Sequence, residues 1–379
     1  MELIEIQGTK RYWVVRPGIG ASFLHHFQQN ECIAIGHIDD CPVTSSGFIT
    51  PEKMDLVQAN INQIVQQQDQ DERETTAQLT KRIGTAKTFI GEIQVGDTII
   101  TPKDESLLIG TVTSEPFIEK EPLFAVKSNG DRSTAKLDFM LRRKVKWDGI
   151  RTKSYMPWQL RESLRSSQAV FSLDKHKTLL EHWLYSIFIN DDGLHFSTRI
   201  SQTNNISQFH ITEFQRLIQK LELVADFIVN DAIDLTDETT FLNSIEDNYY
   251  IYGLEDKFTL TTSQSFASPG SIWSFVPKIS PDDSYRKKLL VLALLVQSSF
   301  GANAEEAVQP DLISKTDMIQ IHESTEILRT AGHFDDFRRN ILASLDERRK
   351  TTINITEEAV PNAKPVIFPE VSSEGETGQ

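Results

Sequence analysis

The chain has 379 residues, of which 25% are charged and 39% hydrophobic, and its formal net charge is −15. That length exceeds one ordinary core and predicts two domains, while the composition excludes collagen-like, coiled-coil and wholly disordered classes. The acidity argues against broad polyanion binding, yet it is uneven: residues 1–165 carry 21 Lys and Arg against 22 Asp and Glu, the remainder 18 against 32, and the segment 132–165 has 10 basic and 3 acidic residues.

Tyr12 to Arg16 reads as a strand, stopped by Pro17-Gly18-Ile19-Gly20, where a missing amide and permissive glycines favour a turn. Ile33 to Ile38 reads as a second strand. Thr50-Pro51-Glu52 opens a helix with Thr as N-cap and Pro at the first position, and Met54, Val57, Ile61, Ile64 and Val65 follow near helical spacing. After a glutamine-rich polar stretch at 66–74, strands are expected at Thr98 to Thr101, Leu107 to Val112 and Leu123 to Val126. Arg142 to Trp147 alternates strictly, with Arg142, Lys144 and Lys146 on one face and Arg143, Val145 and Trp147 on the other.

The character changes after Phe171. A helix is expected over Leu173 to Phe188, a strand over Leu194 to Ile200, and a helix from Thr212, whose spacing to Gln215 suits a capping box and whose stripe is Phe214, Leu217, Ile218, Leu221, Val224 and Ile228. Tyr249 to Tyr252 and Phe258 to Thr262 read as extended, Ser268-Pro269-Gly270 as a turn, and Tyr285 to Phe300 as a mostly buried helix. Phe334, Phe337, Ile341 and Leu345 mark a last amphipathic helix, and a disordered tail is expected from Asp346. The expected organisation is an α+β protein with domains at 1–175 and 176–345 and a tail at 346–379. Met1-Glu-Leu-Ile-Glu5 lacks a secretory pattern, and the longest strongly apolar run, Leu289 to Val296, is far shorter than the roughly 20 residues a bilayer requires. A cytoplasmic location without membrane contact is expected, with Cys32 and Cys41 reduced.

In order and spacing, "YWVVRPG", Phe27 before "IAIGH", "FIGEIQVGDTIITP", "LLIGTV" and "RRKVKW" resemble the EVE-like domain of the PUA superfamily, as found at the N-terminus of Mrr-like restriction and phage-defence proteins. The likeness covers residues of about 8–175. One departure is His37, where many members carry Trp. The resemblance implies a small β pseudo-barrel that holds nucleic acid and, in several relatives, receives a flipped or modified base among aromatic side chains. It carries Trp13, Arg16 and His37 over as pocket candidates. Independently, the alternating strand offers Arg142, Lys144 and Lys146 as a phosphate-facing row. Trp13 shares its face with Val15 and Trp147 with Val145, so a core role suits both tryptophans as well.

His25, His26, Cys32, His37 and Cys41 lack the paired spacing of zinc ligands, and no metal or other cofactor is expected. No phosphate loop, dinucleotide fingerprint, zinc-protease motif or nucleophile elbow is present, so the chain reads as a binding protein rather than an enzyme. The expected function is sensing of DNA or RNA, including modified bases, in bacterial antiphage defence, with the C-terminal domain serving a protein partner or self-association. The alternative is a divergent Mg²⁺-dependent nuclease using Asp247, Glu255 and Lys257, in which two acids would hold the metal and the lysine would orient water. The bland reading of Glu255 and Lys257 is surface residues of a hairpin.

Overall fold

The computed structural model describes residues 4–41, 46–68, 73–126, 132–265, 270–300 and 312–345, which divide into two units: residues 10–177, and residues 4–9 with 178–345. Helices and strands mix in both, so the chain is of the α+β class. The tail expected from Asp346, and Ser268 and Pro269 of the expected turn, lie outside the described residues.

The first strand, β1 (Ile4–Glu5), belongs with the C-terminal elements described below. The unit of residues 10–177 then runs β2 (Tyr12–Val15), α1 (Leu24–Gln29), β3 (Cys32–Ile35), β4 (Gly47–Phe48), α2 (Met54–Gln67), α3 (Thr76–Lys87), β5 (Thr98–Lys103), β6 (Ser106–Val112), β7 (Phe117–Ile118), β8 (Leu123–Val126), β9 (Arg132–Leu137), β10 (Leu141–Thr152), α4 (Trp158–Ser163) and β11 (Val170–Ser172). Its main sheet has the order β11-β2-β5-β6-β10-β7-β4, with β3 added to β10, and curls as a half-barrel. Only β2 and β5 pair in parallel within it; β8 and β9 form a separate hairpin. The curl is filled by Trp13, Phe27, Ile33, Ile35, Ile99, Leu141 and Val145, closed by Val57, Ile61 and Val65 of α2. α3 starts on a reciprocal capping box between Thr75 and Gln78 and ends in a single π-turn over Thr88–Glu92.

The second unit continues through α5 (Lys177–Leu184), β12 (Ile187–Ile189), β13 (Gly193–Ile200), α6 (Gln208–Val229), α7 (Glu238–Leu254), β14 (Thr261–Ser265), β15 (Gly270–Pro277), α8 (Asp283–Ser299), α9 (Lys315–Arg329), α10 (Phe334–Asn340) and β16 (Ala343–Leu345). The sheet order is β1-β12-β13-β15-β14, with β16 on β13. α8 is apolar all round from Leu289 to Val296 and lies in the core, where it packs on α6 and α9. Among the described residues no helix is long and apolar enough to cross a membrane.

Several elements differ from expectation. α6 begins four residues before Thr212, on Ser207 as N-cap. Tyr249 to Tyr252 are helical, because Asp237 accepts the Thr240 N–H at 2.8 Å to start α7, and the Tyr249 and Tyr252 hydroxyls donate to Gln219 (2.9 Å) and Asp226 (2.5 Å) of α6. Tertiary bonds thus override the strand preference of aromatics. The helix expected to reach Phe188 stops at Leu184, and Phe188 lies in β12; Leu345 likewise lies in β16 rather than in the last helix. The domain expected to start at residue 1 starts at Lys10, since Ile4 and Glu5 pair with Phe188 and Ile189.

The β12–β13 turn depends on glycine. The Asn190 Oδ1 accepts the N–H groups of Asp192 and Gly193 at 3.0 and 3.1 Å, and Gly193 takes φ 150° directly beneath β15. A Cβ there would run into the Val276 carbonyl oxygen and lie 2.9 Å from the Lys278 nitrogen. Gly193→Ala is expected to cost about 3 kcal/mol through strain and overpacking, read as a lower midpoint in urea unfolding; an unchanged midpoint would contradict this account of the turn.

Candidate nucleic-acid interface

The residues singled out in the sequence fall into four places. Trp13 is in the core, 1% exposed, and its indole N–H donates to Asp97 at 2.8 Å. The Arg11 guanidinium lies 4.3 Å over its ring and pairs with Asp174 at 2.8 Å. One face and the polar handle of the indole are therefore already engaged.

His37 sits in the turn after β3. Its carbonyl accepts the Arg82 Nε–H at 2.8 Å, and Arg82 also pairs with Asp40 and Glu74, tying the turn to α3. Burial, reinforced by the nearby Arg82 and Lys81 charges, pushes the imidazole down to about 4, so at neutral pH His37 is uncharged. Its Nδ1 is buried without a partner. In the same turn burial raises the Asp39 carboxyl to about 6 despite the Met140 N–H it accepts at 2.9 Å.

The third place is β10. The expected row of three cations is corrected to two, for Arg142 is only 2% exposed and donates to the backbone oxygens of Phe139 at 2.8 Å and Glu121 at 2.6 Å. Lys144 and Lys146, in register with Cys32 of β3 and Thr111 of β6, are exposed. Neither makes an ion pair among the described residues. Two residues apart on a strand, they rise about 7 Å along it on one side. Arg143, on the opposite face, is fully buried and clamps the end of the π-turn through the carbonyls of Phe89 and Ile90.

Arg16 occupies the fourth place, past the end of β2. It lines a cleft of about 250 Å³ with Gly18, Gly20, Lys103, Asp104 and Lys153. The Arg16 Nη2 donates to the carbonyls of Leu164 (2.5 Å) and Ser166 (2.6 Å), while its buried Nε has no partner among the described residues. Lys153 follows β10 and donates to the Asp104 carbonyl. Burial and the neighbouring Arg161 and Arg16 charges lower its pKa, against the pull of Glu105 and Asp104. Gly18 and Gly20 adopt φ 81° and 57°, which brings the backbone round the cleft. Lys103 and Lys153 were missed in the sequence, since each is a single lysine beside a turn and only the sheet brings them together.

These places share one strand. The His37 turn follows Ile35, which faces Leu141 at the start of β10; Lys144 and Lys146 come next; Lys153 of the cleft lies past the other end. A strand of this length spans on the order of 30 Å. Trp13 takes no part in the exposed surface.

The nuclease residues do not assemble. Asp247 is on α7 and Glu255 caps its C-terminus, about 12 Å of helical rise away. Glu255 pairs with Lys257 at 2.6 Å, both half exposed. The hairpin expected around them is instead a helix end, because β14 starts only at Thr261. Comparisons with protein-family models, with curated proteins and with solved structures return no match for this chain.

Proposed function

We propose that the unit of residues 10–177 binds DNA or RNA, including modified bases, and that the protein senses foreign nucleic acid in bacterial antiphage defence. The observation that carries this reading is the exposed pair Lys144 and Lys146, free of acidic partners among the described residues of a chain with net charge −15. Phosphates are recognised by such uncompensated cations, whose bound counterions are released on contact. The half-barrel curl of the main sheet is what a pseudo-barrel of the EVE-like kind would require. The second unit, acidic and separately cored, is assigned to a protein partner or to self-association.

The test is fluorescence anisotropy of the whole chain with labelled single- and double-stranded DNA and RNA, with and without base modification, across a salt series. Lys144→Glu with Lys146→Glu is expected to weaken binding at least tenfold at low salt and to reduce the salt slope by about 2. Both side chains are exposed, so circular dichroism should show an intact fold. Equal affinity of the double variant and the parent would refute the assignment.

A further inference from the structure

The loop that follows β10 and the first residue of α4 each present an aromatic to solvent. Tyr155 is 53% exposed and Trp158 68% exposed, while Met156 between them and Leu160 beyond are buried. Tyr155 is held at φ 58°, a left-handed conformation that a bulky side chain rarely adopts and that a structure keeps only when its surroundings enforce it. The enforcement is visible: Met156 N–H donates to the Lys153 carbonyl at 3.1 Å, Arg161 donates to that same carbonyl at 2.8 Å, and Arg16 ties down Leu164 and Ser166 after α4. The aromatic loop and the cleft are therefore built from the same chain segment, with Lys153 at one end and Leu164 at the other, both lining the cleft.

The cleft gathers three cations, Arg16, Lys103 and Lys153, against one carboxylate, Asp104. Arg16 keeps a buried Nε–H without an acceptor among the described residues, and Arg16 and Lys153 disfavour each other's charge. An anion in the cleft would relieve the repulsion between these cations. Flat exposed rings on the segment that joins Lys153 to Leu164 of a cationic groove are what unpaired nucleotides require, because every base offers a π face and every link a phosphate. A duplex, whose bases are stacked inward, offers the rings nothing to stack on.

We propose that the Arg16–Lys103–Lys153 cleft holds a backbone phosphate of single-stranded nucleic acid whose neighbouring bases stack on Trp158 and Tyr155. This rests on the nucleic-acid reading above and adds that the protein selects unpaired strands, through residues distinct from Lys144 and Lys146.

The experiment uses the whole chain and one labelled 15-nucleotide sequence, as single-stranded DNA, as the matching RNA and as duplex DNA, at about 50 mM salt, a concentration at which phosphate contacts are strong. Trp158→Ala, and Tyr155→Asn, which tolerates a left-handed backbone, are each expected to weaken single-strand binding roughly tenfold while changing duplex binding less than twofold. Lys103→Glu should weaken single-strand binding at least as much. The single strand should also quench tryptophan fluorescence in the parent, and most of that quench should vanish in Trp158→Ala. Parent-like single-strand affinity in both aromatic variants overturns the platform. If Lys144→Glu with Lys146→Glu still abolishes binding in that case, the nucleic-acid reading stands without it; if the parent binds none of the three oligonucleotides, both readings fall.

Discussion

Arg143→Met is expected to lower stability by about 4 kcal/mol, or to prevent the 10–177 unit from folding. The guanidinium is fully buried and donates to Phe89 (2.9 Å), Ile90 (3.0 Å) and Ser114 (3.2 Å). The first two carbonyls belong to the π-turn that ends α3, where a helix otherwise leaves acceptors unsatisfied. Methionine nearly fills the volume but supplies no donor, so the loss is that of charge-assisted bonds, each worth about 1.5–3 kcal/mol, together with stranded carbonyls. Burial pushes the Arg143 pKa down to about 10, still high enough to keep the charge at neutral pH. Arg143→Lys should recover less than half, because an ammonium cannot reproduce the planar fork. Urea unfolding followed by circular dichroism measures both; a Met variant within 1 kcal/mol of the parent would show that the clamp is dispensable.

The second unit is expected to lose about 3 kcal/mol between pH 6.5 and 5 because of two buried histidines. His195 is stacked between Phe188 and Phe275, each 4.6 Å away by ring centroid, and His182 is stacked on Trp273 at 5.0 Å with its Nδ1 2.8 Å from the Ser197 hydroxyl. Burial pushes His182 down to about 3, with proximity to His195 adding to it, and pushes His195 down to about 4 against the pull of Asp192. Well above pH 6.5 the folded and unfolded chains are both neutral at these positions, and stability is fully present. As pH falls, the unfolded chain binds protons that the folded one refuses, at about 1.4 kcal/mol per histidine per pH unit, until the folded values are reached. His195→Phe should halve the slope of the thermal midpoint against pH over this window; an unaltered slope would acquit His195.

The sequence showed much of the framework and less of the surface. Tyr12 to Val15 and the apolar run of α8 were legible because an unbroken apolar run coincides with unbroken burial, and β10 because its alternation matches exposure from Lys144 onward. Arg142 was misread because parity assigns a side chain to a face but cannot say what covers that face: at the start of β10 Leu141, Arg142 and Arg143 are all buried, and Arg142 donates to the carbonyls of Phe139 and Glu121. Beyond Lys144 the alternation does describe exposure. The cleft was illegible because its cations come from the end of β5, the residue after β10 and the turn after β2. Trp158 and Tyr155 did leave a trace, two aromatics interleaved with Lys153, Arg161 and Arg165, but nothing local distinguishes an outward Trp158 from the inward Trp13.

The pairing of β1 with β12 sets an order of events during synthesis. Ile4 and Glu5 leave the ribosome ahead of residues 10–177, yet their partners Phe188 and Ile189, and the Ile189 carbonyl that receives the Ile6 N–H at 2.8 Å, follow more than 180 residues later. At about 5–20 residues per second, the opening strand waits on the order of ten seconds or more without a ladder. All of residues 10–177 is complete before that wait ends, so this unit can fold as an uninterrupted segment before the pairing of β1 with β12 closes.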